Sequence, residues 1–308
     1  MSIKVLNILC LPFLLLFTLS SCDDFEGDQN IPAYLKIDSI ALKIESPSQG
    51  SASSKITDAW IYVDEQLIGA FELPATVPLL YTGKHRLTII PGIRMDGMVQ
   101  LRAYYPLYNQ INREIILAPD SVTVIKGDIF NGKNTIYTTY KDLVQFAWSE
   151  NFEDANLALD TTKKSNVDFQ LTAENDPSTF EGLHSGKITL TLSDSIFEAM
   201  TSEAISLPRN GSPVFLEMNY RCSNTFTFGI IALGIDQYIQ SPILDLNPSP
   251  NWNKIYINLT PNVSSSDDVL KFKLFWGAML YSGKEQTEIY FDNMKLVYLN
   301  NQSKYFYE

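Results

Sequence analysis

The chain has 308 residues, with 23 Lys and Arg against 35 Asp and Glu, and its formal net charge is −12. This balance excludes nucleic acid as the expected partner and also excludes adhesion to anionic lipid through basic patches, because both need a positively charged surface. The length, together with 17 Phe, 16 Tyr and 4 Trp, is sufficient for a large apolar core and predicts two domains.

The first 21 residues have the features of an export signal. A positive charge at Lys4 precedes an apolar stretch over residues 5–19, and small residues stand immediately before Cys22. Pro12 interrupts the apolar stretch, which is also shorter than the roughly 20 residues that span a bilayer. We therefore predict that residues 1–21 are a signal peptide, whose removal takes Lys4 and no acid and leaves a net charge of −13.

The segment Leu19–Cys22 reads Leu-Ser-Ser-Cys and resembles the lipobox of bacterial lipoproteins. The resemblance implies that the thiol of Cys22 carries a diacylglycerol and that the new amino terminus is acylated. Several acyl chains of the palmitate type anchor a protein stably, because each buried methylene contributes about 0.8 kcal/mol. The alternative is an ordinary cleaved signal that happens to precede a cysteine.

The acidic run Asp23–Glu26 resembles the export tag that follows the lipidated cysteine in Bacteroidota surface lipoproteins. This resemblance implies an outer-membrane protein that is exposed on the cell surface. Two alternatives stay open, a solvated tether without an address and an anchor that faces the periplasm. In either case residues 22–32 are predicted to be an acidic, flexible tether.

The cysteines exclude several kinds of site. Cys10 leaves with the signal peptide, Cys22 carries the lipid, and Cys222 then has no thiol partner. The mature chain can form no intrachain disulfide and no Cys-type zinc or redox site. Cys222 is predicted to be a small, half-buried apolar residue.

Residues 33–141 are predicted to form a small β-sandwich. Short β-branched and aromatic runs, partly alternating with polar residues, are bounded by Gly, Pro, Ser or Asp, and helical periodicity is absent. The predicted strands cover residues 33–38, 58–64, 67–74, 84–90, 98–105, 113–117 and 121–125.

The segments 61–69 and 81–89, with Pro74 between them, resemble PEGA-type or carboxypeptidase-regulatory-like sandwiches. Those modules pair a Val-Asp-Gly strand end with a later Gly-x-His, and their glycines permit tight turns. The chain departs from the pattern at Glu65, where the modules usually have Gly. His85 is predicted to be a structural residue at the start of a strand.

Residues 142–300 are predicted to form a larger jelly roll, followed by a tail over residues 301–308, so that the whole fold is all-β. A short helix is expected around residues 195–204. The predicted strands cover residues 169–172, 186–192, 214–220, 225–231, 252–259, 270–276 and 288–297.

Four segments of this second half resemble the jelly rolls of carbohydrate-binding modules and galactose-binding-like domains: Asn151–Glu153, Gly182–Ile188, Trp252–Ile255 and Ile289–Asn293. The resemblance implies an architecture and not one activity, because jelly rolls serve lectins, adhesion modules and enzyme accessory domains alike.

Many modules of this kind hold a structural calcium between carboxylates near the first and last strands, where Glu153 and Asp292 stand in this sequence. The resemblance therefore implies a calcium site. The alternative, which the sequence favours, is that Asp292 and Asn293 only form hydrogen bonds at the end of a strand.

Glycan binding requires exposed aromatic rings flanked by amide or acid groups. The candidates are Trp252, Trp276, Tyr238 and Tyr281, with polar residues such as Asn251, Asn253 and Gln240 near them in the sequence. Each is also an ordinary sandwich residue, and the alternation of Phe272, Leu274 and Trp276 favours a core position for Trp276.

Catalysis is not predicted. The chain has two His and lacks the Gly-x-Ser-x-Gly, His-Glu-x-x-His and Gly-rich phosphate-loop patterns. A pair of carboxylates of the glycosidase kind stays open, because 35 acids offer many pairings.

The sequence therefore predicts a non-catalytic lipoprotein that binds glycan, as an accessory to nutrient uptake. The alternative is a structural or adhesion lipoprotein that binds another envelope protein and no sugar.

Overall fold

The structure is a computed structural model, and it describes residues 31–236, 238–265 and 269–300. The predicted signal peptide, Cys22, most of the predicted tether and the predicted C-terminal tail lie outside the described residues. Regular structure within the described residues is almost entirely β-strand. No helix in this part of the chain has the length and apolar character needed to cross a membrane.

The N-terminal unit comprises residues 33–140, because Tyr140 forms a β-bridge with Tyr108, and it contains eleven of the described strands. Its only described helix is a 3-10 turn at Pro47–Gln49. The strands are β1 Ala33–Ile37, β2 Ser39–Leu42, β3 Asp58–Val63, β4 Gln66–Glu72, β5 Ala75–Leu79, β6 Gly83–Arg94, β7 Arg102–Tyr104, β8 Ile111–Leu117, β9 Val122–Val124, β10 Asp128–Phe130 and β11 Lys133–Thr138.

Three sheets enclose the core of the N-terminal unit. Their strand orders are β5-β1-β9, β10-β11-β2 and β4-β3-β6-β7, with β8 beside β6. Successive side chains of a strand point to opposite faces, so the buried residues Leu35 and Ile37 of β1 and Ile61 of β3 share one apolar cluster. The apolar residues that indicated these strands in the sequence are the ones that fill the core of this unit.

The turn between β3 and β4 places Asp64 and Glu65 at φ values of 47° and 69°. His85 at the start of β6 contacts this turn, with its Nδ1 2.7 Å from the Asp64 carboxylate and its Nε2 3.0 Å from the carbonyl of Thr82. The prediction that His85 is structural is confirmed by these two contacts. The Asp64 carboxylate raises the pKa of His85, and the hydrogen bond from His85 lowers the pKa of Asp64.

The C-terminal unit comprises residues 144–299 and contains the other eleven described strands. Its described α-helix, α1, is the short segment Thr260–Ser264. The strands are β12 Val144–Glu150, β13 Leu159–Thr161, β14 Gln170–Leu171, β15 Gly186–Thr191, β16 Ile196–Thr201, β17 Val214–Cys222, β18 Phe226–Gly234, β19 Tyr238–Leu246, β20 Ser249–Asn258, β21 Val269–Met279 and β22 Gln286–Leu299.

Two sheets pack face to face in the C-terminal unit. The six-stranded sheet has the order β14-β15-β22-β17-β20, with β12 also beside β22, and the five-stranded sheet has the order β13-β16-β21-β18-β19. Leu216 of the first sheet and Phe228 and Leu274 of the second are buried in one apolar cluster between them. The predicted all-β sandwich class is confirmed by these sheets.

The helix predicted around residues 195–204 is wrong, because most of that segment is strand β16. Phe197, Ala199 and Thr201 are buried, whereas the residues between them are only partly buried. This period of two fits a strand that covers a core on one face, and it outweighs the helix propensity of Glu, Ala and Met in the same segment.

The N-terminal unit packs against part of the outer face of the six-stranded sheet. A separate apolar cluster contains Tyr105, Tyr108 and Tyr140 of the N-terminal unit and Phe215 and Tyr256 of the sheet. The rings of Tyr105 and Phe215 stand 5.0 Å apart in an edge-to-face arrangement. This geometry adds to the energy of burying the rings, so the two units are joined by a packed interface.

The interface also extends the edge of the six-stranded sheet. The amide of Asp96 donates to the carbonyl of Tyr256 at 2.9 Å, and the amide of Asn258 donates to the Asp96 carboxylate at 2.8 Å. Edge strand β20 therefore has part of its backbone paired with the N-terminal unit, which protects it from pairing with other chains.

Candidate functional site

The outer face of the five-stranded sheet is the large sandwich face that the N-terminal unit leaves free. No hydrogen bond or ion pair joins this sheet to the N-terminal unit among the described residues. Binding sites need accessible surface, so this face is the first to consider for a ligand.

A polar network crosses this face. The Glu198 carboxylate accepts hydrogen bonds from the hydroxyl of Thr162 at 2.8 Å, from Lys164 Nζ at 3.2 Å and from Gln240 Nε2 at 3.0 Å. Lys164 Nζ also donates to Gln240 Oε1 at 3.1 Å. Burial raises the pKa of Glu198, but these hydrogen bonds outweigh burial and leave the pKa lowered, so the carboxylate is ionised at neutral pH.

Strand register explains why the network forms on the outer face. Phe197 and Ala199 point into the core, so Glu198 between them points outward. Gln240 pairs directly with Ile231, which is buried on the same outer face. The network is therefore held by paired strands and has a fixed geometry.

Tyr238 stands beside this network. It lies two residues before Gln240 on edge strand β19 and so shares its face, and it is 60% exposed. An exposed aromatic ring flanked by an amide, an ammonium group and a carboxylate is the combination that sugar recognition requires.

Tyr281 lies at the opposite end of the same sheet. Its hydroxyl hydrogen-bonds to Thr225, just before β18, whereas Tyr238 pairs with Leu233 near the end of β18. Eight residues at about 3.3 Å each separate Thr225 from Leu233, roughly 26 Å. The structure therefore does not bring Tyr238 and Tyr281 together.

The assignment of Trp276 as a ligand-binding residue is wrong. Its side chain is 0% exposed and lies between the rings of Trp148 and Phe228, at centroid distances of 5.9 and 5.4 Å. The alternation along β21 points Trp276 into the sandwich core, as the alternative interpretation predicted.

Trp252 lies on the other sheet, on the part of its outer face that the N-terminal unit does not cover. It is half-buried, its Nε1 donates to the carbonyl of Ser178 at 3.2 Å, and its ring lies 5.2 Å from that of Phe180. These contacts fix the indole and leave only part of it accessible. Trp252 and Tyr238 therefore belong to two separate surfaces.

Glu153 and Asp292 line one cleft of about 660 Å³ between the two units. The Glu153 carboxylate accepts hydrogen bonds from the amides of Leu183 and His184 at 3.0 and 3.2 Å. Within the described residues, no group of three or more His, Cys, Asp or Glu is placed to hold a metal ion. These residues therefore do not make a metal cage by themselves, and calcium binding stays a prediction.

Asp292 stands where the neighbour of β22 changes from β15 to β12. Its carboxylate accepts from the hydroxyl of Ser185 at 2.6 Å and from the amide of Asn293 at 2.7 Å. These bonds agree with the alternative to calcium in the sequence analysis, in which Asp292 and Asn293 form hydrogen bonds at a strand. Burial outweighs these bonds and raises the pKa of Asp292 to about 7.

A buried ionic network at the interface was not predicted. The Glu217 carboxylate accepts hydrogen bonds from the hydroxyls of Tyr105 and Tyr140 at 2.8 and 2.9 Å and lies 3.4 Å from Lys254 Nζ. Lys295 Nζ donates to Tyr140 at 3.1 Å and to the carbonyl of Ser51 at 2.8 Å.

Burial raises the pKa of Glu217, but the two ammonium groups and the two hydroxyls outweigh it and leave the pKa lowered. The sequence carries one signal for this network. Glu217 and Lys295 each stand between two apolar residues of a predicted strand, and a charge in such a place needs a buried partner. The sequence does not show which partner.

The fold defines a two-unit, all-β protein whose C-terminal unit is a β-sandwich. No protein-family model matches this chain, and no curated protein matches it. The similar solved structures include one described as the structural basis for the promiscuous specificity of carbohydrate-binding modules from the β-sandwich superfamily. It has 15% identity and a TM-score of 0.37, over 86% of this chain and 98% of that chain.

Two further similar structures are single modules. The family 11 carbohydrate-binding module from Clostridium thermocellum, in complex with a β-1,3-1,4-mixed-linked tetrasaccharide, has 11% identity and a TM-score of 0.33 over 48% of this chain and 93% of that chain. A family 30 carbohydrate-binding module has 14% identity and a TM-score of 0.35 over 52% and 86%. These scores carry no argument about a ligand, so the functional case rests on the geometry above.

Proposed function

We propose that the outer face of the five-stranded sheet binds glycan. The observation that carries this proposal is the exposed ring of Tyr238 beside the network of Glu198, Lys164 and Gln240. The N-terminal unit occupies part of the other outer face, so the proposed face is also the more accessible one.

The chemistry of the face suits a sugar. The Tyr238 ring supplies an apolar platform for the C–H face of a pyranose, and the network supplies both donors and acceptors for its hydroxyls. Because the side chains of the network already hold one another in place, less conformational entropy is lost when a ligand binds.

We propose binding without catalysis. The hydrogen-bond partners of Glu198 among the described residues are a hydroxyl, an ammonium group and an amide. These partners hold the carboxylate in place and support a role in positioning a sugar, and the sequence has none of the familiar catalytic patterns.

We propose further that the protein is anchored to the outer membrane through lipid on Cys22 and faces the cell exterior. The sequence around Cys22 supports this, and the binding face would then be presented to glycans outside the cell, as a nutrient-uptake accessory requires. Cys22→Ala should move the protein from the membrane fraction to the soluble fraction and abolish incorporation of labelled palmitate; retention in the membrane fraction would contradict the proposal.

A protein partner in the envelope is the second candidate function. Ile116 on β8 and Val122 on β9, two consecutive strands of the N-terminal unit, are exposed, and so are Ile129 and Phe130 on β10. Exposed apolar residues grouped on one unit are typical of protein contacts. This surface lies on the N-terminal unit, so both functions are compatible with one molecule.

A glycan array separates the two candidates. The chain with Cys22→Ala, purified without lipid, is expected to bind neutral oligosaccharides on the array, and a second substitution Tyr238→Ala is expected to remove that binding. Tyr104→Ala is the matched control, because Tyr104 is similarly exposed but lies on the N-terminal unit. No neutral glycan bound, together with one envelope protein recovered by crosslinking in cells, would favour the second candidate.

A further inference from the structure

A second cleft lies on the outer face of the six-stranded sheet, on the part that the N-terminal unit leaves uncovered. Its volume is about 460 Å³, within the range of small-ligand sites. Its lining includes basic, acidic, aromatic and apolar residues: Arg221, Lys284, Glu288, Tyr290, Pro248 and Pro250.

A bulge in the sheet places Arg221 in this cleft. Strand β17 pairs with β20 at Tyr220↔Asn253 and next at Cys222↔Ser249, so one residue of β17 faces three of β20. A bulge re-aims a side chain and interrupts pairing. The residues of β20 that leave the ladder here are 250–252, which include Pro250 in the cleft wall and Trp252 beside it.

The guanidinium group of Arg221 is held by aromatic rings. It lies 4.3 Å from the ring centroid of Tyr290 and 5.8 Å from that of Trp252. Stacking of this kind fixes the plane of the group but uses none of its N–H donors. No hydrogen bond or ion pair of the Arg221 side chain is found within the described part of the chain.

The acids near Arg221 already have partners. Glu288 is ion-paired with Lys187 at 2.7 Å, and it accepts a hydrogen bond from the Tyr290 hydroxyl at 2.8 Å. Asp176 accepts hydrogen bonds from Ser178, which lower its pKa. Ser178 and Lys187 are the stronger partners of these two carboxylates, and the charge of Arg221 lowers their pKa values further. Neither carboxylate forms an ion pair or hydrogen bond with the guanidinium group within the described residues, so its N–H donors are left for a ligand.

A second cation stands at the same cleft. Lys284 Nζ donates to the carbonyl of Ser223 at 2.7 Å, a neutral partner, and no ion pair of Lys284 is found among the described residues. Two of the three charged residues that line the cleft are therefore cations, although the whole chain has a net charge of −12.

We propose that this cleft binds the acidic group of an anionic saccharide, with Arg221 as the residue that recognises it. A planar guanidinium group with free N–H donors binds a carboxylate or a sulfate ester through two parallel hydrogen bonds. Pro248, Pro250 and Tyr290 provide the apolar walls against which a sugar ring packs. The inference rests on the proposed function in one respect, that the anion is carried by a sugar.

The test is a calorimetric titration of the Cys22→Ala chain with oligogalacturonate, a sulfated oligosaccharide and the methyl ester of the same oligogalacturonate. We expect the methyl ester to bind at least tenfold more weakly than the free acid. Arg221→Gln should weaken binding of the anionic ligand by about tenfold or more, the usual effect of losing charged hydrogen bonds. The two anionic ligands distinguish a carboxylate site from a sulfate site.

Arg113→Gln is the matched control, because Arg113 is exposed and its guanidinium group donates only to the neighbouring Asn112 carbonyl. Arg221→Lys keeps the charge and loses the paired donors, so it should weaken binding while the thermal unfolding curve stays that of the parent. Equal affinity of the parent and Arg221→Gln, or no binding of either anionic ligand, would overturn the inference. Neutral glycans bound through Tyr238 would still support the proposed function in that case.

Discussion

At the scale of single residues, His85 and Asp64 form a pair whose contribution to stability depends on pH. The pKa of His85 is raised in the folded state, so its contribution is present below the unfolded value of about 6.5 and is lost as the pH rises through the folded pKa. The pKa of Asp64 is lowered, so its contribution is present above about pH 3.9 and is lost at lower pH.

We therefore expect Asp64→Asn to lower the melting temperature most between about pH 4 and 6.5 and least above the raised pKa of His85. Thermal unfolding at pH 5.5 and pH 9 measures the difference. His85→Gln should remove the same pH dependence. A melting-temperature difference that is equal at both pH values would contradict the pairing.

The pKa of Asp292 shifts in the opposite direction to that of Asp64, so its contribution to stability has the opposite pH dependence. Its pKa rises to about 7 on folding, so the folded state binds the proton more tightly and stability falls as the pH rises from about 4 to 7. Asp292→Asn should remove this fall, which thermal unfolding across that range measures.

The same variant tests the calcium prediction. Calcium bound at Asp292 would raise the melting temperature of the parent chain and leave that of Asp292→Asn unchanged. A parent chain that responds neither to calcium nor to a chelator has no structural calcium.

At the scale of elements, the turn between β3 and β4 holds Glu65 in a backbone conformation that favours glycine. Glu65 has a φ of 69°, which costs a residue with a Cβ about 1 kcal/mol or more relative to Gly. Its carboxylate pairs with Arg86, but both side chains are exposed, so the pair contributes little.

Glu65→Gly should therefore stabilise the chain by about 0.5 to 1 kcal/mol. Glu65→Ala is the control, since it loses the pair and keeps the unfavourable φ, and it should not stabilise. The free energy of unfolding from denaturant titration measures both. A destabilised Glu65→Gly would show that the pair with Arg86 outweighs the backbone strain.

Elements with alternating burial were predictable, and elements without it were not. The runs at β1, β3 and β6 are rich in β-branched and aromatic residues, and the structure has strands there in which buried and partly exposed residues largely alternate. Residues 98–101 form a turn, closed by a hydrogen bond from the amide of Leu101 to the carbonyl of Met98, where a strand was predicted. The apolar residues Met98, Val99 and Leu101 are exposed and bury no face. The helix predicted around residues 195–204 is a strand in the structure, because burial alternates with a period of two along it.

The candidate site was predictable only in part, because the sequence shows which residues share one face of a strand and does not show which strands lie together in a sheet. The sequence named Tyr238 and placed Gln240 near it, since two residues on one strand share a face. It did not indicate Glu198 or Lys164, because their contacts with Gln240 depend on which strands pair across the sheet. Trp276 and Tyr238 are both aromatic residues in strands, and only the sheet order shows which one is buried.

At the scale of the whole molecule, the interface between the two units depends on Glu217. Glu217→Ala would leave Lys254 and Lys295 buried without a carboxylate, and removing one partner of a buried pair costs about 3 to 5 kcal/mol. We expect a loss of this size in the free energy of unfolding. Glu114→Ala, which breaks an exposed ion pair with Lys84, is the control and should cost about 1 kcal/mol or less.

The two units should also lose stability together in Glu217→Ala, because the network joins Tyr105 and Tyr140 of one unit to strands of the other. Hydrogen exchange at strands of each unit measures this. Exchange that accelerates in the C-terminal unit alone would show that the interface does not couple the two.

Hydroxyl-radical footprinting of the Cys22→Ala chain, with and without a neutral oligosaccharide selected on the array, tests the glycan-binding face most directly. Tyr238 and Tyr104 are both exposed, so both are oxidised in the free chain. The account predicts that the bound oligosaccharide slows oxidation of Tyr238 and leaves Tyr104 unchanged. Unchanged oxidation of Tyr238, or protection confined to Trp252 or to the N-terminal unit, would contradict it.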